Sequence, residues 1–253
     1  MKTIVLLLIS FLTFTSFSCE DNTNTATEVD LEMNFTGSFG EEPLLMYAQD
    51  YNYQAGMDLK FQLFQFYISD VKLLKDTKSQ ANAVDLVEIE LVSFENVQSI
   101  DAADKGVSIN IQNVPTGTYS GIQFGLGVAP DLNATQPGDY TPGHPLDSHY
   151  WSWARGYVFT KIEGNADLNG DGVFEEKLTF HLGENDYFRT LTIEQNLEIK
   201  EGAKLSFNVD LEKVLIDAQG EFLDFSKVSQ DHTNDVNIAS FIANNLGTAI
   251  ELK

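Results

Sequence analysis

Apolar and polar residues alternate with a period of two through much of the chain. In the first clear segment, Val29 to Phe35, the apolar positions are separated by Asp30, Glu32 and Asn34. Successive side chains of a β-strand point to opposite faces, so this pattern predicts a strand with one buried face. An amphipathic β-strand therefore opens the folded part of the chain.

A longer segment, Leu59 to Leu74, alternates in the same way but changes phase near Leu63. A phase change within a strand indicates a β-bulge or a change of sheet. Pro115 and Gly117 favour a turn between two later strands, and we predict a hairpin there. Further strands are predicted at Val84–Ile89, Val107–Val114, Tyr119–Val128, Tyr157–Ile162, Lys177–Leu182, Arg189–Leu197 and Lys204–Leu211.

The order of these elements predicts the fold class. Strands follow one another without long amphipathic helices between them, which favours an all-β fold, an antiparallel β-sandwich with Greek-key connections. Near the end, Ile238, Phe241, Ile242 and Leu246 recur with helical spacing. We therefore expect a short C-terminal helix to complete the sandwich.

The N-terminus has the layout of a secretory signal, with Lys2 followed by the apolar run Ile4–Leu12. This run is shorter than the roughly 20 apolar residues that a permanent membrane helix needs. Ser16 and Ser18 precede Cys19, the single cysteine, in an arrangement that resembles a bacterial lipobox. We predict removal of residues 1–18 and lipidation of Cys19. The alternative is an ordinary signal peptide with an incidental cysteine, which would leave an unpaired thiol in an oxidising compartment.

The residues after the signal divide into a tether and one domain. Residues 19–28 are small and polar and predict a flexible tether, and the length of 29–253 suits a single domain. Without further cysteines, packing or metal must stabilise this domain. Glu20 and Asp21 resemble a surface-export signal of lipoproteins. The expected location is the outer membrane, through the lipid anchor, with a periplasmic or surface-facing orientation.

Charge and motifs narrow the functional classes. The net charge of −23, from 38 acidic and 15 basic residues, excludes nucleic acid as a partner, because phosphate backbones are bound by clustered Lys and Arg. The sequence has no Gly-x-Ser-x-Gly, no His-Glu-x-x-His and no phosphate-binding glycine loop. Acid pairs carry little information in so acidic a chain. We expect a binding protein and not an enzyme.

Histidine and tryptophan are concentrated in one segment. His144, His149, Trp151 and Trp153 lie within fourteen residues that include both tryptophans of the chain. In a continuous strand, His149 and the two tryptophans would share a face. The competing interpretation is that the indoles pack in the core and His149 caps the strand.

A further histidine, His181, lies in the segment Phe180–Gly183, in a predicted strand that is otherwise apolar at alternate positions. A single histidine there is commonly a core residue with satisfied hydrogen bonds. If His149 and His181 lie on neighbouring strands, however, two imidazoles converge beside the tryptophans. Such a nitrogen-donor site suits copper or zinc.

A glycine-rich acidic loop is a candidate calcium site. Oxygen ligands at alternate positions around a glycine turn can wrap a hard cation. Leu178 occupies the position where an EF-hand has its bidentate Glu, so the loop is not an EF-hand. A hairpin turn without metal would use the same Asn-Gly-Asp-Gly residues. The candidate ligands are Asp167, Asn169, Asp171, the Val173 carbonyl, and Glu175 or Glu176.

Several motifs occur in an order that resembles the MbnP family, copper-binding proteins associated with methanobactin systems and also found as lipoproteins of Gram-negative bacteria. The resemblance spans roughly Val29 to Leu252, and the Trp-x-Trp followed by Gly-Tyr is its most specific part. The motifs are Phe64–Val71, Val114–Val128, Tyr150–Trp153 with Gly156–Tyr157, and Phe180–Gly183.

The resemblance implies a β-rich copper-binding domain in the periplasm or at the outer membrane. It also implies a dihaem partner similar to cytochrome c peroxidases, which oxidises a tryptophan to a kynurenine that helps to hold the metal. By position, that residue would be Trp151 or Trp153. His149 stands where family members often have Met. We predict copper binding through His149 and His181, with His144 or an oxidised tryptophan as a third ligand.

The alternative function is a metal-independent surface β-sandwich module that binds a protein or a glycan. An exposed aromatic patch at Tyr150, Trp151 and Trp153, without converging imidazoles, would favour it.

Overall fold

Two β-sheets pack face to face. The computed structural model describes residues 27–152, 156–233 and 235–253, so the predicted signal peptide, Cys19 and Trp153 lie outside the described residues. The strands are β1 (Glu28–Phe39), β2 (Glu42–Pro43), β3 (Tyr51–Asn52), β4 (Asp58–Leu74), β5 (Val84–Ser93), β6 (Val107–Pro115), β7 (Gly117–Leu126), β8 (Tyr150–Trp151), β9 (Gly156–Asp167), β10 (Glu176–Gly183), β11 (Arg189–Ile199), β12 (Ala203–Asp210), β13 (Gln230–Asp231) and β14 (Ile250–Leu252). The α-helices are α1 (Ile100–Lys105), α2 (Pro130–Asn133), α3 (Leu211–Leu215) and α4 (Val236–Thr248).

The smaller sheet has the order β14-β12-β1-β2, and β6 also pairs with β1. The larger sheet has the order β11-β7-β4-β9-β10-β13, with β3 and β5 on β4 and β8 on β9. This architecture confirms the predicted all-β sandwich with a C-terminal helix. Most pairs are antiparallel, but β1 runs parallel to β12 and β10 runs parallel to β13.

Aromatic side chains join the two sheets. The ring of Phe35 on β1 lies 6.4 Å, centroid to centroid, from Phe66 on β4, and Phe124 on β7 lies 5.9 Å from Phe207 on β12. All four rings are buried. Burying an aromatic ring of this size contributes about 1.5–3 kcal/mol, so these contacts are a main source of adhesion between the sheets.

The alternation that predicts β1 and β4 is confirmed by burial and register. On β1, Leu31, Met33 and Phe35 are buried beneath the sheet. On β4, the register with β9 shifts between Phe61 and Leu63, where the phase of the apolar pattern changes. At this bulge β4 has one residue more than β9. The apolar side chains before and after the bulge can therefore both stay buried along this 17-residue strand.

The predicted hairpin at Pro115–Thr118 is wrong. The chain passes from one sheet to the other there, and Gly117 has a φ of 146°. The strands on either side nevertheless belong to different sheets, because β6 pairs with β1 whereas β7 pairs with β4 and β11. The turn residues specify a local change of direction but not the partner of each strand.

A second apolar cluster supports the loop that leads to β8. This cluster is packed inside the domain. Within the described part of the chain, no helix is long and apolar enough to cross a membrane. This apolar cluster packs the loop against β4, β5 and β9, beside the candidate site. Its buried members are Tyr67, Ile89, Val128, Ala129, Leu132, Leu146, Tyr157 and Phe159.

Candidate metal centre

His149 lies at the end of this loop, immediately before β8. Its φ of 57° places it in the left-handed region, and its carbonyl accepts a hydrogen bond from the Val158 amide at 2.8 Å. The regular strand therefore starts only at Tyr150. The prediction that His149, Trp151 and Trp153 share one strand face is wrong for His149, because the positive φ interrupts the alternation.

His149 is half-buried. Its Nδ1 lies 3.3 Å from the Tyr67 hydroxyl oxygen and 3.1 Å from Ser148 Oγ. The Tyr67 hydroxyl donates to the Pro145 carbonyl at 2.6 Å. Burial and the nearby Lys161 cation lower the pKa of His149 to about 4. At neutral pH the ring is therefore neutral, the state that binds metals.

His181 lies on β10, directly opposite Lys161 on β9. Its Nε2 is 2.7 Å from Glu163 Oε1, and its side chain is 16% exposed. Burial lowers the pKa of His181, and the Glu163 carboxylate partly offsets that effect. A protonated His181 would act electrostatically on His149 and lower its pKa further.

His232 is the residue that the sequence prediction missed. It follows β13, whose parallel register pairs Phe180 with Asp231, so the next residue along the chain comes beside His181. The rings of His181 and His232 lie 4.8 Å apart, centroid to centroid. The Thr233 hydroxyl fixes this alignment by donating to the His181 carbonyl at 3.2 Å. We call His149, His181 and His232 the imidazole cluster.

Trp151 completes one side of the cluster. Its indole lies 6.4 Å from the His232 ring at an interplanar angle of 19°. The six-membered ring rests on Gly183, where an added Cβ would come within 2.7 Å of Trp151 Cζ3. Glycine at the end of the Phe-His-Leu-Gly motif therefore leaves the space that the indole occupies.

His144 has different neighbours. Its ring stacks on Tyr140 at 4.1 Å, and its Nδ1 accepts a hydrogen bond from the Leu146 amide at 3.1 Å. Within the described residues the ring contact and the hydrogen bond of the His144 side chain are to these two residues and not to the other histidines. The structure thus brings His181 and His232 together and places His144 elsewhere on the loop.

The acidic loop joins β9 to β10. Asp167 is fully buried and accepts hydrogen bonds from the amides of Asn169, Gly170 and Gly172, at 3.1, 2.8 and 2.6 Å. Burial opposes ionisation of Asp167, but the backbone donors outweigh it and lower the pKa. Glu176, one of the two alternative ligands, lies at the start of β10. Its carboxylate accepts a hydrogen bond from the Ser229 hydroxyl.

Three carboxylates of this loop converge. Ligand oxygens of Asp167, Asp171 and Glu175 lie within 4.8 Å of one another. Among the described residues, no other set of three His, Cys, Asp or Glu donors is this close. The imidazole cluster contains one close pair of rings, His181 and His232, and a third ligand requires a side-chain movement or another kind of donor.

Comparison with known proteins identifies the family. The family profile described as MbnP matches residues 28–238, which is most of the chain. The chain belongs to the MbnP family. Comparison with curated protein sequences gives no match.

A solved structure described as MbnP from Methylosinus trichosporium shares the fold. Its TM-score is 0.55, and the alignment covers 85% of this chain and 88% of that chain at 14% identity. At such low identity the likeness concerns the fold alone. The assignment of particular residues to a site rests on the geometry of this MbnP-family chain.

Proposed function

We propose that this MbnP-family protein binds copper at the imidazole cluster and acts as a binding protein, not an enzyme. The observation that carries the proposal is the convergence of His181 and His232, at 4.8 Å, beside the indole of Trp151. Imidazole nitrogen is a good copper ligand, and the described residues contain no cysteine to compete for the metal.

The local chemistry supports a metal and disfavours the alternative module. The lowered pKa values of His149 and His181 keep both rings neutral, and a carboxylate behind His181 is a common partner of a metal-binding imidazole. Tyr150 and Trp151 are half-buried and not part of an exposed patch. These features favour copper over metal-independent binding of a protein or glycan.

His181 and His232 would hold the metal, with His149 or a modified tryptophan as a third ligand. An indole is only an N–H donor, whereas a ring-opened kynurenine-type side chain offers an amine and a carbonyl. We propose that a dihaem partner similar to cytochrome c peroxidases supplies the oxidation, at Trp151 or Trp153. The protein would act in the periplasm or at the cell surface, attached to the outer membrane by lipid on Cys19.

Copper titration of the metal-free mature protein tests this function. Copper affinity should fall in three variants: His181→Ala, His232→Ala and the double variant His149→Ala/His181→Ala. The expected decrease exceeds the roughly 10–100-fold that is typical when an outer-shell partner is removed. His144→Ala is the matched control, because this imidazole lies against Tyr140. Unchanged affinity in the first three variants would remove these residues from the site.

A further inference from the structure

Glu163 lies diagonally across from His181 in the large sheet. On β9, Lys161 lies opposite His181, and Glu163 lies opposite Thr179. Residues 161 and 163 share a face of the strand, so Glu163 is the diagonal neighbour of His181 on that face. The Glu163 carboxylate reaches along this diagonal to His181 Nε2 at 2.7 Å.

The Glu163 carboxylate bonds the imidazole although a cation is nearby. Burial lowers the pKa of Lys161, and the electrostatic interaction of Lys161 with the Glu163 carboxylate partly offsets this lowering. Nevertheless, the hydrogen-bond partner of the Glu163 carboxylate among the described residues is His181, and the two side chains are 31% and 16% exposed. Partial burial makes the contact more than a solvated surface pair.

The direction of this hydrogen bond determines the state of the ring. A carboxylate accepts hydrogen bonds and donates none, so His181 Nε2 must carry the hydrogen. In a neutral imidazole the other nitrogen, Nδ1, is then the atom with a lone pair. A metal can bind only through such an unprotonated nitrogen.

We propose that Glu163 is a positioning residue that fixes His181 in its Nε2–H tautomer and presents Nδ1 to copper. This inference rests on the proposed function for its metal-directing part. The tautomer itself is a property of the metal-free protein. Outer-shell partners of this kind hold the ring and increase the basicity of the metal-binding nitrogen.

Nitrogen-15 NMR of histidine in the metal-free mature protein tests the tautomer. We expect the His181 signals to show a protonated Nε2 and an unprotonated Nδ1. Glu163→Leu removes the acceptor and should give a mixture of tautomers, whereas Glu163→Gln keeps an acceptor oxygen and should largely preserve the Nε2–H form. Glu194→Leu, at an exposed position of β11, should leave the signals unchanged.

Copper affinity of the same variants tests the metal-directing part. Glu163→Leu should weaken binding by about 10–100-fold, Glu163→Gln by less, and Glu194→Leu should not change it. An Nδ1–H tautomer in the unsubstituted protein, or an unchanged tautomer and affinity in Glu163→Leu, would overturn the inference. Absence of copper binding by the unsubstituted protein would instead overturn the proposed function, and the metal-directing role with it, whatever the tautomer.

Discussion

The environment of His149 makes this side chain a determinant of stability. Its pKa falls from 6.5 to about 4 in the folded protein, chiefly because burial removes the ring from water. Between these two pH values the unfolded chain binds the extra proton and the folded chain does not. The contribution of the neutral His149 to the free energy of unfolding is therefore complete above pH 6.5 and is lost as the pH falls towards 4.

Replacement of His149 by Asn should remove this pH dependence. Asn tolerates the positive φ at position 149 better than most residues, so the backbone should be retained. When the pH falls from 6.5 to 4, the free energy of unfolding of the original protein should decrease by on the order of 3 kcal/mol relative to that of His149→Asn. Urea unfolding at a series of pH values measures it. A difference that stays constant with pH would show that His149 titrates alike in both states.

The residues of the site differ in how far the sequence could predict them. His149, His181 and Trp151 are marked by their clustering and by the strand pattern. His232 is not, because it follows a two-residue strand and comes beside His181 only through the parallel register of β13 with β10. As the fourth histidine of the chain, it could have been included as a donor, but its neighbour could not have been identified.

At the level of elements, strand positions were predictable but strand partners were not. The alternation of apolar residues reflects burial of one face, which a single strand records in its own sequence. The pairing of β6 and β7 with different sheets depends on the rest of the chain. The same limit applies to the parallel pair β1 and β12, since residues that pair there are 172 positions apart.

The loop between β9 and β10 allows a direct test of the calcium interpretation. The convergence of Asp167, Asp171 and Glu175 leads us to expect that calcium at 100 times its dissociation constant raises the free energy of unfolding by about 2.7 kcal/mol. The Asp171→Asn/Glu175→Gln double variant should lose this response, because two of the three carboxylates are removed.

Thermal unfolding with and without calcium measures the effect. Asp217→Asn is the matched control, since Asp217 also accepts two backbone amides within a tight turn. No rise in the unfolding temperature of the unsubstituted protein would favour the hairpin turn without metal. A rise that persists in the double variant would place the cation elsewhere.

For the whole molecule, one measurement tests the predicted removal of the signal peptide and lipidation of Cys19. Intact mass of the protein purified from its own host should show loss of residues 1–18 and added acyl mass, with Cys19 as the site of attachment. Oxidation of Trp151 or Trp153 would appear as a second mass change, which peptide sequencing assigns to one residue. Retention of residues 1–18, or a mature chain with an unmodified Cys19, would contradict lipidation.

The central position of β1 in the smaller sheet has a consequence for folding kinetics. β1 lies between β6 and β12, so its ladder cannot be completed until the chain has reached residues 203–210. Contacts of such large sequence separation slow folding, because the loop must close before they form. The first strand to emerge during synthesis or export thus stays without one neighbour until nearly the entire chain is present, which delays folding of the domain until its last strands arrive.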